Sequence, residues 1–243
     1  TDLCQSKVVT SIPFTGINNI LMSKDLLQFE TKILVMIPLR MEWQELCETL
    51  SQDFNCVVES GHLQSINYFF VPQFKSLFAL AGHGKTQAAV HSTFVATQCK
   101  PEEIWCVGAA GSLSQDVHEG DFVCADRIVE HDYNLKFVSR PLPQFKCEAT
   151  CLRGLSTEGQ IIHSGLLASG DEDIINHERR TTLHSKTGAI AVAWEGAGIA
   201  RAAAFLNIPA GELRVITDNA DSNASHDFSR SLRTNMKQIG RAS

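Results

Sequence analysis

Apolar positions fall in short unbroken runs, separated by stretches with helical spacing. The first run is ILVMI (33–37). Such a run, with β-branched residues and no polar alternation, predicts a strand buried on both faces. PLRMEWQELCETL follows with apolar residues at helical spacing, and FNCVVESG, INYFFVPQ and SLFALAGHG predict three strands joined by short turns. GKTQAAVHSTFVATQC (84–99) predicts a helix that stops before Pro101. EIWCVGAAGSL (103–113) predicts a strand ending in a glycine loop, and DFVCADRIVEHD another strand. Residues 133–160 are polar and irregular and read as a long excursion. SGLLASGDEDII predicts a strand leading into a turn; GAIAVAW, EGAGIARAAAFLN and ELRVITD predict strand, helix and strand; SHDFSRSLRTNMKQI closes the chain as a helix. Residues 1–31 show no sustained period and read as an N-terminal extension with a short helix around Ser23–Phe29, leaving 32–243 as the domain. Strands alternating with helices predict a largely parallel α/β sheet. Ligands of such sheets sit at the carboxyl ends of the strands, where Glu42, Ala109, Glu195 and Asp218 fall.

Composition narrows the classes. The 243 residues are 44% hydrophobic and 20% charged, enough to bury a core and too apolar for general disorder. Lys and Arg number 21 against 27 Asp and Glu, a net charge of −6, so nothing suggests binding to duplex nucleic acid or to an anionic membrane. No apolar run is long enough to cross a bilayer, and the first twenty residues lack the apolar stretch of a secretory signal. The 8 cysteines form no CxxC pair, and several lie inside apolar runs. They are expected to be buried free thiols of a cytoplasmic protein rather than disulfides or a zinc site.

Five segments carry candidate chemistry. AGHGK (81–85) joins a strand to a helix through two glycines: a tight structural turn, or one whose backbone N–H reaches an anion or substrate oxygen. VGAAGS (107–112) is a second glycine loop, but it is neither a Walker A motif nor GxGxxG. AWEGAG (193–198) sets Glu195 where a strand passes into a helix; this is either a first-turn acid favoured by the helix dipole or an acceptor for two neighbouring sugar hydroxyls. RVITDNAD (214–221) ends a strand on Asp218, a cap or a proton donor. Glu42, in PLRMEWQEL, is an exposed helix residue or a site acid. No HExxH, no GxSxG and no metal-ligand spacing is present, so no metal site is expected.

In the order AGHGK, CKPEEIWCVGAAGSL, EGDFVCADRIVEHD, GLLASGDEDI, AVAWEGAGIARAA, RVITDNAD, these segments resemble the nucleoside phosphorylase/nucleosidase superfamily, and within it most closely the 5′-methylthioadenosine/S-adenosylhomocysteine nucleosidases. The resemblance runs from about Lys32 to near the C-terminus. It implies a three-layer α/β/α sandwich with a mixed, largely parallel central sheet. The implied reaction is hydrolysis of a purine N-ribosidic bond without cofactor. Asp218 matches the acid that protonates the leaving base, and Glu42 matches the carboxylate that activates water, with Glu45 the alternative in a shifted register. Glu195 matches the acid that holds the ribose hydroxyls, and Arg214 the arginine that supports it. Leu39, His83 and Phe228 fall at positions around the 5′ group, and Ala109 stands for the serine of the glycine loop. Asp173, beside Ile174, falls at the aromatic position that stacks on the purine. Leu135 and Val138 match residues that reach into a neighbouring subunit's pocket, which implies a homodimer.

The departures bear on the substrate. Where relatives commonly carry a Met between two acids, this chain has Ala193, Trp194 and Glu195. Trp194 and Asp173 point to a changed 5′ group or base edge. A phosphorylase would carry an Arg before and a Ser within the VGAAGS strand, where Cys106 and Ala109 stand. Water is therefore the expected nucleophile, although PLR, with Arg40, also occurs in the phosphate loop of hexameric phosphorylases. Phosphorolysis and nucleoside binding without turnover are the alternatives.

Overall fold

The computed structural model describes residues 30–53, 56–134, 136–148 and 161–242. The N-terminal extension, apart from its last two residues, lies outside the described residues, as do Leu135, Cys4 and Cys151. Among the described residues, ten strands and five α-helices follow one another: β1 (Ile33–Ile37), α1 (Arg40–Glu48), β2 (Glu59–Leu63), β3 (Ile66–Val71), β4 (Ser76–Leu80), α2 (Lys85–Cys99), β5 (Glu103–Ser112), β6 (Phe122–Glu130), β7 (Gln144–Lys146), β8 (Ile162–Ser169), α3 (His177–Thr187), β9 (Ala191–Ala193), α4 (Gly196–Leu206), β10 (Ala210–Asp218) and α5 (Ala224–Ala242).

The sheet is mixed. Parallel pairings join β1 to β4 and β5, β5 to β10, and β8 to β6 and β9. Antiparallel pairings join β2–β3–β4, β6–β7, β6–β10 and β5–β9. The order β10-β6-β8-β9-β5, closed by the β5–β10 pairing, bends this half of the sheet into a ring, while β1, β4, β3 and β2 extend from β5 as an open wing. The length of β5 makes this possible. Its first residues pair with β1 and its last two, Gly111 and Ser112, with β9, while its other side pairs with β10.

Helices cover both faces of the wing, so the expected three layers are present. Alternate residues of β1 sort them. Val35 and Ile37 pack with Leu46 of α1 and with Leu232 and Met236 of α5. Leu34 and Met36 pack with Ala88 and Val95 of α2 and with Ile199 and Ala203 of α4. This two-sided burial is the physical origin of the unbroken apolar runs in the sequence.

Three elements differ from expectation. Within the stretch 133–160, read as an irregular excursion, Gln144–Lys146 form β7 against β6. The strand expected in FNCVVESG begins only at Glu59. Residues 177–187, unassigned from sequence, form α3, capped by the Asn176 side chain at its N-terminus and by Gly188, at φ 73°, at its C-terminus. Its one buried residue is Leu183, so α3 carries almost no apolar period by which to recognise it.

Candidate active site

The ends of β5, β9 and β10, the loops that follow β1, β4 and β8, the N-cap of α4 and the starts of α1 and α5 line a cleft of about 330 Å³, within the range of small-molecule sites. Its wall includes Leu39, Glu42, His83, Ala109, Asp173, Ile174, Trp194, Glu195, Arg214, Asp218 and Phe228, so the structure brings together every site residue expected from sequence. Glu45, about one turn further along α1, and Arg40, two residues before Glu42, are not part of that wall.

Glu42 is 1% exposed although it sits in the first turn of α1. Two backbone N–H groups hold its carboxylate: Leu39 donates to Oε2 at 2.9 Å and Ala109 to Oε1 at 2.8 Å. Burial pushes its pKa up from 4.5 to about 7, against the pull of those N–H groups and of Arg214. A Cβ on Gly108 would lie 2.9 Å from Glu42 Oε1 and 3.0 Å from Arg214 Nη1, so only glycine lets the acid and the guanidinium meet over β5.

Asp218 ends β10. Ala220 N–H donates to its Oδ1 at 2.9 Å and the Thr217 hydroxyl to its Oδ2 at 2.9 Å. Ala220 takes a left-handed φ of 49°, an unfavourable conformation for a residue with a Cβ, and it closes an Asx turn around the acid. Burial pushes the Asp218 pKa up, offset by these two donors.

Glu195 stands at the N-cap position of α4, 4% exposed. Gly84 N–H donates to its Oε1 at 3.2 Å, and His83 Nδ1 lies 3.3 Å from the same oxygen. The AGHGK turn is thus both tight and chemically engaged, with Gly82 and Gly84 each at φ 84°. His83 stacks on Trp194 at 4.3 Å between ring centroids, covering Glu195 with two aromatic rings. The other Glu195 oxygen is 3.9 Å from Arg214 Nη2.

Arg214, 1% exposed, joins these parts. Its Nη1 donates to the Ala109 carbonyl at 3.0 Å, so the Ala109 peptide contacts Glu42 on one side and Arg214 on the other; its backbone does this work, whatever its side chain.

Sequence reasoning missed two acids. Glu172 lines the cleft and is held by Arg179 of α3 through two 2.6 Å bonds, so the unexpected helix anchors the loop that carries Asp173 and Ile174. Glu212 lies behind the cleft wall, with its carboxylate against Arg214 Nε at 2.8 Å. It is fully buried in a strand that reads as apolar, and no spacing rule flags it.

Among the described residues lining the cleft, five are carboxylic acids (Glu42, Glu172, Asp173, Glu195 and Asp218) and one, Arg214, is a guanidinium. Such a wall suits a neutral, hydroxyl-rich ligand and opposes a polyanion. Among the described residues, no group of three or more His, Cys, Asp or Glu side chains is placed to hold a metal ion, and no helix is long and apolar enough to cross a membrane.

A family model described as the phosphorylase superfamily matches residues 32–243. The chain belongs to the phosphorylase superfamily. Among its relatives, an aminodeoxyfutalosine nucleosidase of Helicobacter pylori is 27% identical over 81% of this chain and 89% of its own length. A 5′-methylthioadenosine/S-adenosylhomocysteine nucleosidase of Mycobacterium bovis is 27% identical over 63% of this chain and 73% of its own. The fold matches a crystal structure of 5′-methylthioadenosine/S-adenosylhomocysteine nucleosidase from Helicobacter pylori with butyl-thio-DADMe-Immucillin-A, with a TM-score of 0.77 at 23% identity, over 88% of this chain and 96% of that one. It also matches futalosine hydrolase of Helicobacter pylori, with a TM-score of 0.75 at 24% identity over 87% and 95%.

Proposed function

We propose that this member of the phosphorylase superfamily is a purine nucleosidase, with residues 32–243 as its catalytic domain. It hydrolyses the N-ribosidic bond of a 5′-substituted purine nucleoside and releases the base. 5′-Methylthioadenosine and S-adenosylhomocysteine are the leading substrates, followed by 5′-deoxyadenosine and futalosine. The observation that carries this reading is the pairing of two buried, differently held acids, Glu42 and Asp218, across a cleft whose one guanidinium among the described residues faces inward to protein partners.

The roles follow from what each group faces. As the C–N bond stretches, negative charge grows on the purine and positive charge on the sugar. Asp218, whose proton affinity burial raises, donates to the leaving base. Glu42, ionised above about pH 7, accepts a proton from the attacking water. Glu195 accepts hydrogen bonds from the ribose 2′- and 3′-hydroxyls, and the His83–Trp194 stack lies beside the sugar. Leu39 and Phe228 border the 5′ group, while Asp173 and Ile174 border the base.

Phosphate is disfavoured as the nucleophile. Arg40 is exposed and outside the cleft wall, and Arg214 is already engaged by Glu212, the Ala109 carbonyl and Cys106. The working form is a homodimer on this reading. Exposed Val138, next to fully exposed Phe137, lies in the segment that would reach the neighbouring cleft. The same reading sets the reaction in the cytoplasm, where free thiols such as Cys106 persist. The test is release of base from 5′-substituted adenosines without phosphate. Turnover that strictly requires phosphate would replace this reading with phosphorolysis.

A further inference from the structure

One buried acid has no part in the proton transfers or the sugar contacts proposed above. Glu212 is 0% exposed, on the strand that carries both Arg214 and Asp218. Its Oε1 accepts from Arg214 Nε at 2.8 Å, and among the described residues its Oε2 meets no hydrogen-bond donor. Burying a carboxylate with one oxygen unsatisfied is costly. Burial accordingly pushes its proton affinity up, although Arg214 opposes that. The fold makes room for this costly group. A Cβ on Gly196, the first residue of α4, would lie 2.2 Å from Glu212 Oε2 and 2.5 Å from Oε1. The carboxylate thus occupies the space that any other side chain at 196 would fill.

The consequence lies in how Arg214 spends its nitrogens. Nε is held by Glu212, Nη1 by the Ala109 carbonyl and Nη2 by Cys106 Sγ at 2.9 Å. Held from below, the guanidinium stays 3.9 Å from the nearest Glu195 oxygen, beyond hydrogen-bond reach. Without the Nε anchor, Arg214 keeps only its Ala109 and Cys106 contacts and is drawn toward its nearest remaining carboxylate. That carboxylate is Glu195: an Arg214 contact on Oε2, added to the Gly84 N–H on Oε1, would compete with sugar hydroxyls for its acceptor sites.

We propose that Glu212 is a positioning residue for sugar recognition: it holds Arg214 back from Glu195, so that the Glu195 carboxylate stays available to neighbouring sugar hydroxyls, and Gly196 is its required counterpart. This inference rests on the nucleosidase reading of Glu195. It addresses affinity for the sugar rather than the chemical step, so its signature is a split between KM and kcat.

The test measures KM and kcat for phosphate-independent cleavage of 5′-methylthioadenosine by four variants. Glu212→Val should raise KM at least fivefold with kcat within threefold of wild type. Glu212→Gln keeps an acceptor for Nε and should bring KM back to within threefold. Gly196→Ala drives a methyl into the carboxylate's space without altering an ionisable group, so it should reproduce the KM increase and carries the test if Glu212→Val does not fold. Combining Gly196→Ala with Glu212→Val should be no worse than Glu212→Val alone, because the methyl then enters vacated space. Wild-type turnover with KM raised less than fivefold in both Glu212→Val and Gly196→Ala would overturn the positioning role and leave the nucleosidase standing. A kcat loss without a KM increase would overturn it as well. A wild-type protein that cleaves no 5′-substituted adenosine would overturn both.

Discussion

At the scale of single residues, the proposed function rests on two carboxyl groups kept apart by their surroundings. Asp218→Asn keeps the size and one acceptor of the acid but has no proton to give, so kcat should fall by about 10²–10⁴-fold while thermal unfolding shows a folded protein. Near-normal kcat would remove Asp218 from the acid role. Glu42 is the proposed base, so activity should require its ionised form. Its pKa lies near 7, raised by burial, so kcat/KM should rise with pH through about 7 and fall again at the higher pH where Asp218 loses its proton. Glu42→Gln should abolish turnover, whereas Glu45→Gln should leave it near wild type; the reverse result would move the base one helical turn along α1. These acids were legible in the sequence because they end apolar strands or begin helices, where α/β folds gather ligands. Glu212 was not legible. Its neighbours Gly211 and Leu213 give no sign of a charge, and the reason it is tolerated, Arg214 on one side and Gly196 on the other, exists only in three dimensions.

At the scale of elements, α3 shows where sequence periodicity fails. Its residues, HERRTTLHSKT, are polar because the helix lies on the surface and buries only Leu183. The available signals were the Asn176 cap and Gly188, which mark the ends of a helix without an apolar stripe between them. Its functional link is Arg179, which holds Glu172 beside Asp173. Arg179→Ala should leave the Glu172 carboxylate without its two donors and loosen that loop. The expected result is a severalfold higher KM with little change in kcat, read from steady-state kinetics; an unchanged KM would show that α3 does not order the base side of the cleft. The strands, by contrast, were legible nearly throughout, since burial on both faces writes itself as unbroken apolar runs.

At the scale of the whole molecule, alternation of strands and helices announced a layered α/β fold, but not that half the sheet closes through the β5–β10 pairing. Closure depends on β5 serving β1 and β9 along one side, a division of its length that no local pattern encodes. It also brings Ala109, Asp218 and Glu195 to one rim. The proposed dimer belongs to this scale. Phe137→Asp combined with Val138→Asp should shift sedimentation toward a monomer, and an unchanged sedimentation coefficient would place any interface elsewhere. The most direct test of the central claim is chromatographic detection of base released from 5′-methylthioadenosine, S-adenosylhomocysteine, 5′-deoxyadenosine, futalosine, adenosine and inosine, with and without phosphate. The account predicts base release from at least one 5′-substituted nucleoside, at the same rate in both buffers. Release only when phosphate is present, or none from any member by a folded protein, would contradict it.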